Sequence, residues 1–255
     1  MNQLNVNLPE LPYAVSEAMN RLRINIKFCG KNTRKILLTS CQPNEGKSTI
    51  SSYLWKMLAE AGFPTVLVDV DLRKSVMKTR FQMDYDDDTT MGLNHYLSGM
   101  AEYEDVIYST NIPNGYMVPC TQLLENPSAL LEDVRFKELL NTLSENYRFV
   151  IIDSPPLGSV SDGALITYLC DGAVLVVRAG TTPRTLIKQS LYEIQQSGCK
   201  LLGTVLNRAD VKGRAYGKYG YGKYGYGYGY GYGYEPKDKK NSSDSAAADK
   251  NSTGK

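Results

Sequence analysis

Short apolar runs alternate with helix-like segments along most of this chain, and this order restricts the folds it can adopt. Helical spacing is clearest at Leu54, Leu58 and Ala61, ahead of Gly62, where we expect the helix to end. Such alternation is typical of parallel strands joined by crossover helices, so we predict an α/β fold with a doubly wound, mostly parallel sheet. The predicted strands are 35–40, 65–70, 115–119, 149–154, 172–178 and 201–207.

Composition divides the chain into three parts. Of its 255 residues, 42% are hydrophobic, which is enough for one large core. We expect an N-terminal segment at 1–34, the main α/β domain at 35–210 and a disordered Tyr/Gly tail at 211–255. The first segment should contain a helix at 14–28 that covers the sheet or contacts another copy, with Val15, Met19, Leu22 and Ile26 on one face. The polar stretch 75–115 predicts only short helices and loops.

A phosphate-binding loop follows the first predicted strand. The sequence CQPNEGKST runs from that strand into a helix, which places backbone N–H groups and a helix N-terminus against an anion. Lys47 would reach the β- and γ-phosphates, and the Ser48 hydroxyl could bind Mg²⁺. The usual first glycine of such a loop is replaced by Cys41. The predicted nucleotide-binding residues in this loop are Pro43, Asn44, Glu45, Gly46, Lys47, Ser48 and Thr49.

Three carboxylates follow two of the predicted strands. Asp69 and Asp71 lie at the end of one strand, and Asp153 ends another after four apolar residues. Such positions suit Mg²⁺ binding beside a phosphate loop, although strand ends also carry aspartates that merely cap a turn. We expect Ser48, Asp71 and Asp153 to hold the metal, Lys47 to stabilise the moving phosphoryl group and Asp69 to act as the base. The roles of Asp69 and Asp71 could be exchanged.

The last part of the sequence is a tyrosine cluster in which almost every ring lies beside a glycine. Glycine at this frequency has a high ordering cost and leaves little to pack between the rings, so a solvated tail of phenolic hydroxyls is expected. A self-associating low-complexity segment is the alternative. The candidate phosphoacceptors are Tyr216, Tyr219, Tyr221, Tyr224, Tyr226, Tyr228, Tyr230, Tyr232 and Tyr234.

Charge, cysteine and histidine content exclude several functions. A net charge of +2 does not predict a nucleic-acid partner, and five cysteines without CxxC spacing predict neither a disulfide framework nor a zinc site. We expect a cytoplasmic protein with no membrane-spanning run. The single histidine, His95, is expected on the surface of a short helix, and no sequence typical of a eukaryotic kinase occurs.

Together these motifs resemble the bacterial tyrosine kinases of capsule and exopolysaccharide synthesis, of the CpsD/CapB type. The resemblance rests on QPNEGKST, VLVDVDLR, FVIIDSPP and the Tyr/Gly tail, and it covers residues 13 to 234. It implies a P-loop NTPase fold like that of MinD and ParA, ATP and Mg²⁺ as cofactors, and phosphorylation of the tail between subunits of a ring. It also implies that Asn207, at the end of LLGTVLN, recognises adenine.

The resemblance further implies partners. These are a membrane adaptor of the polysaccharide co-polymerase type, which recruits the kinase to the inner face of the cell membrane, and a phosphotyrosine phosphatase. The family's ring motif ExxRxxR appears here as Glu17, Arg21 and Arg23, with Asn20 in place of the first arginine. Ser75 stands where proline is common in the family, so we expect a local change of loop course.

Two other functions fit parts of the sequence. A partitioning or division-site ATPase of the ParA/MinD kind would share the sheet, but its signature lysine is replaced here by Gln42. A catalytically idle scaffold could use the tail to bind nucleic acid or to self-associate through its rings. The complete set of Lys47, Ser48 and the three aspartates argues against the scaffold.

Overall fold

A single eight-stranded sheet forms the centre of the protein in the computed structural model, which describes residues 3–86, 89–158 and 162–209. The six predicted strands are confirmed, with ends that differ by one residue at most. Two short strands were not predicted, because two or three residues carry no readable alternation. The strands are β1 Gln3–Leu4, β2 Lys35–Ser40, β3 Thr65–Asp69, β4 Tyr108–Thr110, β5 Gly115–Val118, β6 Phe149–Asp153, β7 Gly172–Arg178 and β8 Lys200–Asn207.

The order of strands in the sheet is β1-β4-β5-β3-β6-β2-β7-β8. All neighbouring pairs are parallel except β4 with β5. Because parallel strands present their carboxyl ends at one edge, the segments that follow β2, β3 and β6 meet there. The predicted mostly parallel sheet is therefore confirmed, and its carboxyl edge carries every motif that the sequence analysis selected in the domain.

Helices cover both faces of the sheet. On one face, the helices at Tyr13–Lys27 and Lys47–Glu60 pack against Ile36, Leu38 and Leu67. On the other face, later helices pack against Leu37 and Val68. This arrangement is the expected doubly wound architecture. The helices are α1 Tyr13–Lys27, α2 Lys47–Glu60, α3 Met77–Arg80, α4 Leu93–Leu97, α5 Ser128–Glu132, α6 Val134–Asn146, α7 Asp162–Tyr168 and α8 Arg184–Gln196, with a 3-10 turn at Tyr103–Asp105.

The N-terminal helix packs on the domain core with part of its predicted apolar face. Met19 and Ile26 are buried and Leu22 is partly buried against the same core, but Val15 is 43% exposed. Val15 lies in the first turn of α1, ahead of Met19, where burial of this helix begins. Tyr13, at the start of the same helix, is also exposed.

His95 lies in the short helix α4, as expected, but it is buried rather than at the surface. Its Nδ1 accepts a hydrogen bond from the backbone N–H of Gly92 at 3.0 Å and lies 3.3 Å from the Thr121 hydroxyl. The prediction failed because sequence spacing does not show that the loop after β5 covers this helix. The imidazole therefore fixes a turn between α4 and the sheet.

Among the residues that the structure describes, no helix combines the length and the apolar composition needed to cross a membrane. The predicted tail at 211–255, with the nine candidate acceptors Tyr216, Tyr219, Tyr221, Tyr224, Tyr226, Tyr228, Tyr230, Tyr232 and Tyr234, lies outside the described residues.

Candidate functional site

The loop between β2 and α2 has the backbone form expected of a phosphate cradle. Gly46 is the N-cap of α2, with φ of 98°, and Asn44 also has a positive φ of 63°. In the described part of the chain, no side chain caps the first turn of α2. The backbone N–H groups of that turn, together with the helix dipole, are therefore available to an anion.

Asn207 lies directly against this loop. Its Nδ2 donates a hydrogen bond to the backbone carbonyl of Glu45 at 2.8 Å. A Cβ atom added to Gly46 would come within 2.2 Å of that Nδ2, so only glycine fits between the loop and the end of β8. The structure thus brings Asn207 to the predicted loop, 162 positions from Glu45 in sequence, and shows it supporting the loop backbone.

The side chain of Glu45 turns back into the loop. It is buried, and its Oε2 accepts hydrogen bonds from the backbone N–H groups of Cys41 at 2.8 Å and Gln42 at 3.0 Å. The Thr182 hydroxyl, just before α8, donates to its other oxygen. The Glu45 carboxylate therefore stabilises the loop. Only the backbone of Glu45 remains available to a nucleotide.

Cys41 replaces the usual glycine without distorting the loop. Its side chain is buried and contacts the Ser190 hydroxyl of α8, and burial raises the pKa of the thiol. The side chain therefore packs toward α8. This packing explains why the position tolerates a residue larger than glycine.

The three predicted carboxylates meet around Lys47. Asp69 and Asp153 are directly opposite each other in the register of β3 and β6. Lys47 Nζ lies 2.8 Å from Asp71 Oδ2 and 3.7 Å from Asp153 Oδ2. Its Nζ also lies 3.3 Å from the Ser48 hydroxyl oxygen. All five side chains are buried, so their charges interact through a poorly screened medium.

Hydroxyl groups complete this network. The Ser51 hydroxyl donates to Asp153 Oδ1 at 3.1 Å, and the Ser75 hydroxyl donates to Asp69 Oδ2. The backbone N–H of Asp71 donates to Asp69 Oδ1 at 3.3 Å, which holds the two acids of the DxD sequence in fixed relative positions. Ser75 thus places a hydroxyl on the candidate base at the position where the family commonly has proline.

Burial and like charge disfavour ionisation at this site. Burial, and then the nearby Asp153 carboxylate, raise the pKa of Asp69 to about 8. Burial also raises the pKa of Asp153, against the opposing effect of Lys47. Burial lowers the pKa of Lys47, but the carboxylates of Asp153 and Asp71 outweigh it and leave that pKa above its usual value. Three acids share one cation, so a second positive charge would be stabilised here.

The residues at this site suit Mg²⁺, which takes few protein ligands, better than a metal ion that is coordinated entirely by side chains. Within the described ranges, no group of three or more His, Cys, Asp or Glu side chains is arranged as a closed metal site. Mg²⁺ needs only one or two carboxylates, because water and phosphate oxygens fill its remaining positions. Ser48, Asp71 and Asp153 could supply those protein ligands.

A cavity of about 390 Å³ opens beside this network. One wall is the phosphate loop, and a second wall is formed by the segment that follows β3. The two walls carry all four basic side chains of the cavity and one of the three carboxylates. The lining residues are Pro43, Asn44, Gly46, Lys47, Ser48, Asp71, Arg73, Lys74, Val76, Arg80, Pro155 and Pro156.

Several residues of the second wall have no role predicted from the sequence. Arg73 donates from Nε to Asp162 Oδ2 at 2.7 Å, and Asp162 opens α7 with its side chain buried. Arg80 donates from Nη1 to the Thr49 hydroxyl at 3.1 Å. The sequence indicated these residues only through the basic run that follows the DxD strand. Spacing alone could not show which basic side chains of that run line the cavity.

Comparison with known proteins decides the family. The AAA domain family model matches residues 33–195. The tyrosine-protein kinase CpsD of Streptococcus agalactiae is 41% identical over 208 residues, which cover 81% of this chain and 90% of that protein. This chain belongs to the CpsD/CapB family of bacterial tyrosine kinases. It is a protein-tyrosine kinase of the capsule and exopolysaccharide type.

Solved structures agree with this assignment. The chimerical protein CapA2B2 matches the kinase with a TM-score of 0.72 and 33% identity, covering 80% of this chain and 92% of that one. The septum site-determining protein MinD from Pyrococcus horikoshii, complexed with Mg-ADP, matches with a TM-score of 0.58 and 25% identity over 69% of this chain and 72% of that one. The predicted MinD-like P-loop fold is confirmed, and the kinase relatives match more of the chain.

The predicted ring-contact residues all lie on α1. Arg21 is exposed, Glu17 is half-buried, and Arg23 donates from Nε and Nη2 to Asn20 Oδ1 at 3.0 and 2.8 Å. Asn20, which replaces the first arginine of the motif, thus accepts hydrogen bonds from Arg23, the last arginine of the motif.

Proposed function

We propose that this kinase transfers the γ-phosphoryl group of ATP to tyrosines of its own C-terminal segment, in a neighbouring copy, and thereby regulates capsular or exopolysaccharide synthesis and export. The observation that carries the proposal is the meeting of Lys47 with Asp69, Asp71 and Asp153 beside the phosphate loop. The sequence adds nine tyrosines between 216 and 234 on the same chain.

Mg-ATP is the proposed phosphoryl donor. The loop backbone from Pro43 to Gly46 and the first turn of α2 with Thr49 would bind the phosphates, with Lys47 reaching the β- and γ-phosphates. Ser48, Asp71 and Asp153 would hold Mg²⁺, which adds positive charge next to the moving phosphoryl group. Asn207, at the rim beside Gly46, would contact the adenine while it supports the loop.

Asp69 is the proposed base for the acceptor tyrosine. A phenol with a pKa near 10 must lose its proton as transfer proceeds. Once ionised, a carboxylate whose pKa is raised to about 8 has a higher proton affinity than an ordinary aspartate, which favours transfer of the phenolic proton to it. The Ser75 hydroxyl fixes its orientation. Asp71 remains the alternative base.

Assembly and partners follow from the family. Glu17, Arg21 and Arg23 on α1 would contact the next copy in a ring. The name of the solved chimera CapA2B2 couples CapA and CapB elements, which supports a separate membrane adaptor of the CapA kind. Such an adaptor would recruit the kinase from the cytoplasm to the inner face of the membrane, and a phosphotyrosine phosphatase would reset it. A nucleic-acid partner is not part of the proposal.

One mixing experiment tests the central claim. A full-length Lys47→Met chain, which keeps its tail tyrosines, is incubated with Mg-ATP and an active chain whose nine tail tyrosines are replaced by phenylalanine. Mass spectrometry of the 211–255 region should show phosphotyrosine, although only the inactive chain can accept it. The Lys47→Met chain alone is the control. An unlabelled mixture would contradict transfer between copies.

A further inference from the structure

The two walls of the active-site cavity differ in how their positive charges are used. On the loop wall, Lys47 is paired with Asp71 at 2.8 Å. On the opposite wall, Arg73 is paired with the buried Asp162. These pairs account for two of the four basic side chains that line the cavity.

The other two cations, Lys74 and Arg80, have no acidic partner among the residues that the structure describes. Within the described ranges, no carboxylate lies within 4.0 Å of either of them. Both side chains are exposed at the cavity, and the hydrogen bond from Arg80 to the Thr49 hydroxyl turns its guanidinium toward the phosphate loop. Two uncompensated positive charges therefore face the space across from the proposed nucleotide phosphates.

This charge matches one phosphate monoester. A phosphotyrosine carries about −1.5 to −2 at neutral pH, and Lys and Arg donate charge-assisted hydrogen bonds to its oxygens. We propose that Lys74 and Arg80 form a subsite for a phosphotyrosine already present on the substrate segment, which positions a second tyrosine for transfer. This inference rests on the proposed function and adds the order in which the tail tyrosines are phosphorylated.

The spacing of the tail tyrosines suits two adjacent subsites. From Tyr224 to Tyr234 a tyrosine occurs at every second residue. In an extended backbone, residues i and i+2 project to the same side about 6.5 to 7 Å apart. A phosphotyrosine over Lys74 and Arg80 thus directs its neighbour along the same cavity toward Lys47 and Asp71, which line it.

Charge also explains why the first transfer should be slow. The unmodified segment begins with Lys212, Arg214, Lys218 and Lys223, which the two free cations repel. One phosphate reverses that interaction.

In each transfer the phenolic oxygen bonds to the γ-phosphorus, the bond from that phosphorus to the ADP oxygen breaks, and the phenolic proton goes to Asp69. The phosphotyrosine in the subsite is bound and remains unchanged.

The test uses the full-length chain with all nine tail tyrosines replaced by phenylalanine, so that added peptides are the only tail acceptors. The peptides are Phe-Gly-Tyr-Gly-Phe and two primed forms in which either phenylalanine is phosphotyrosine. We expect kcat/KM for at least one primed peptide to exceed that of the unprimed peptide about tenfold, as charge-assisted contacts to a phosphate imply. The ratio should fall to near one in the Lys74→Ala/Arg80→Ala variant.

Two controls make the result specific. Lys200→Ala removes an exposed lysine at the amino edge of the sheet, and it should keep the tenfold ratio. ADP affinity of the double variant, measured by calorimetry, shows whether the two cations serve the nucleotide instead. A primed-to-unprimed ratio near one in the parent chain overturns the subsite while leaving tail phosphorylation intact. Absence of transfer to every peptide overturns both proposals.

Discussion

Lys47 and Asp71 form an ion pair of 2.8 Å, which joins the cation proposed for the phosphates to a carboxylate proposed for the metal. Under the proposed function, both groups would exchange partners on binding Mg-ATP. Asp71 would hold the metal and Lys47 would bind the phosphates, so each charge would keep an opposite charge beside it. Loss of Lys47 should therefore affect transfer more than folding.

Lys47→Met is expected to lower phosphotyrosine formation by roughly 10²- to 10³-fold, since removal of one group that stabilises transition-state charge has that effect. Circular dichroism should show an unchanged fold, because methionine fills the same space. Wild-type transfer by the folded variant would contradict the assignment of the loop.

The carboxylates can be separated by their effects on binding and chemistry. Asp153→Asn should weaken the affinity for Mg-ATP, whereas Asp69→Asn should leave that affinity within a few-fold and reduce the transfer rate by about 10² or more. Calorimetry with a non-hydrolysable ATP analogue and single-turnover kinetics measure the two quantities. Equal loss of affinity in both variants would show that Asp69 is a metal ligand.

Gly46→Ala should abolish productive nucleotide binding. A side chain at φ of 98° is strained by roughly 1 to 2 kcal/mol, and its Cβ would displace Asn207 from the carbonyl of Glu45. We expect at least a tenfold loss of ADP affinity. Gly203→Ala, on β8, is the matched control, because nothing lies within 4 Å of an added Cβ there. Similar losses in both variants would refute the steric argument.

The pair of Arg73 and Asp162 should make stability depend on pH. Burial alone would raise the pKa of Asp162, but hydrogen bonds from Arg73 and Ser128 outweigh it and hold that pKa below its usual value. The carboxylate therefore stabilises the fold above about pH 4, and this contribution is lost as pH falls through the lowered pKa.

Asp162→Asn should accordingly lower the free energy of unfolding at pH 7 by roughly 2 to 4 kcal/mol, since it leaves Arg73 without its buried partner. The difference from the parent protein should shrink at pH 3. Urea titrations at both pH values measure it, with the exposed Asp84→Asn as the control. A difference that is the same at both pH values would exclude the ion pair as the cause.

Phosphorylation of the tail should disperse the proposed ring. Nine phosphates change the charge of the tyrosine segment by roughly −13 to −18, which makes neighbouring copies repel each other. Light scattering after size-exclusion chromatography should show the mass falling as phosphate per chain rises. An assembly that persists when fully phosphorylated would disprove this cycle.

Local patterns predicted most of the fold and the centre of the site. The six longer strands were readable because each contains a short apolar run. The positions of Lys47 and the three aspartates follow from the rule that parallel strands share a carboxyl edge. The burial of His95 could not be predicted, because it depends on a loop distant in sequence.

The same limit applies to the second wall of the cavity. Arg73 and Arg80 stand seven residues apart in one basic stretch, yet Arg73 is paired with Asp162, whereas no described carboxylate pairs with Arg80. That difference arises from the packing of α7 against the segment after β3, which no local pattern reports. Glu45 is a similar case, since its buried carboxylate binds the loop and Thr182.

The register that sets Asp69 opposite Asp153 has a consequence for mutational scans of this kinase. The two acids repel each other, and what holds them together is the hydrogen-bonded ladder and the apolar interior of β3 and β6, including the fully buried Leu67 and Ile151. Truncating either of those side chains would let the strand ends drift apart. Because Asp71 follows β3, it would move away from Asp153, and the proposed Mg²⁺ site would weaken. Some positions that a scan scores as purely structural should therefore behave as remote determinants of metal affinity.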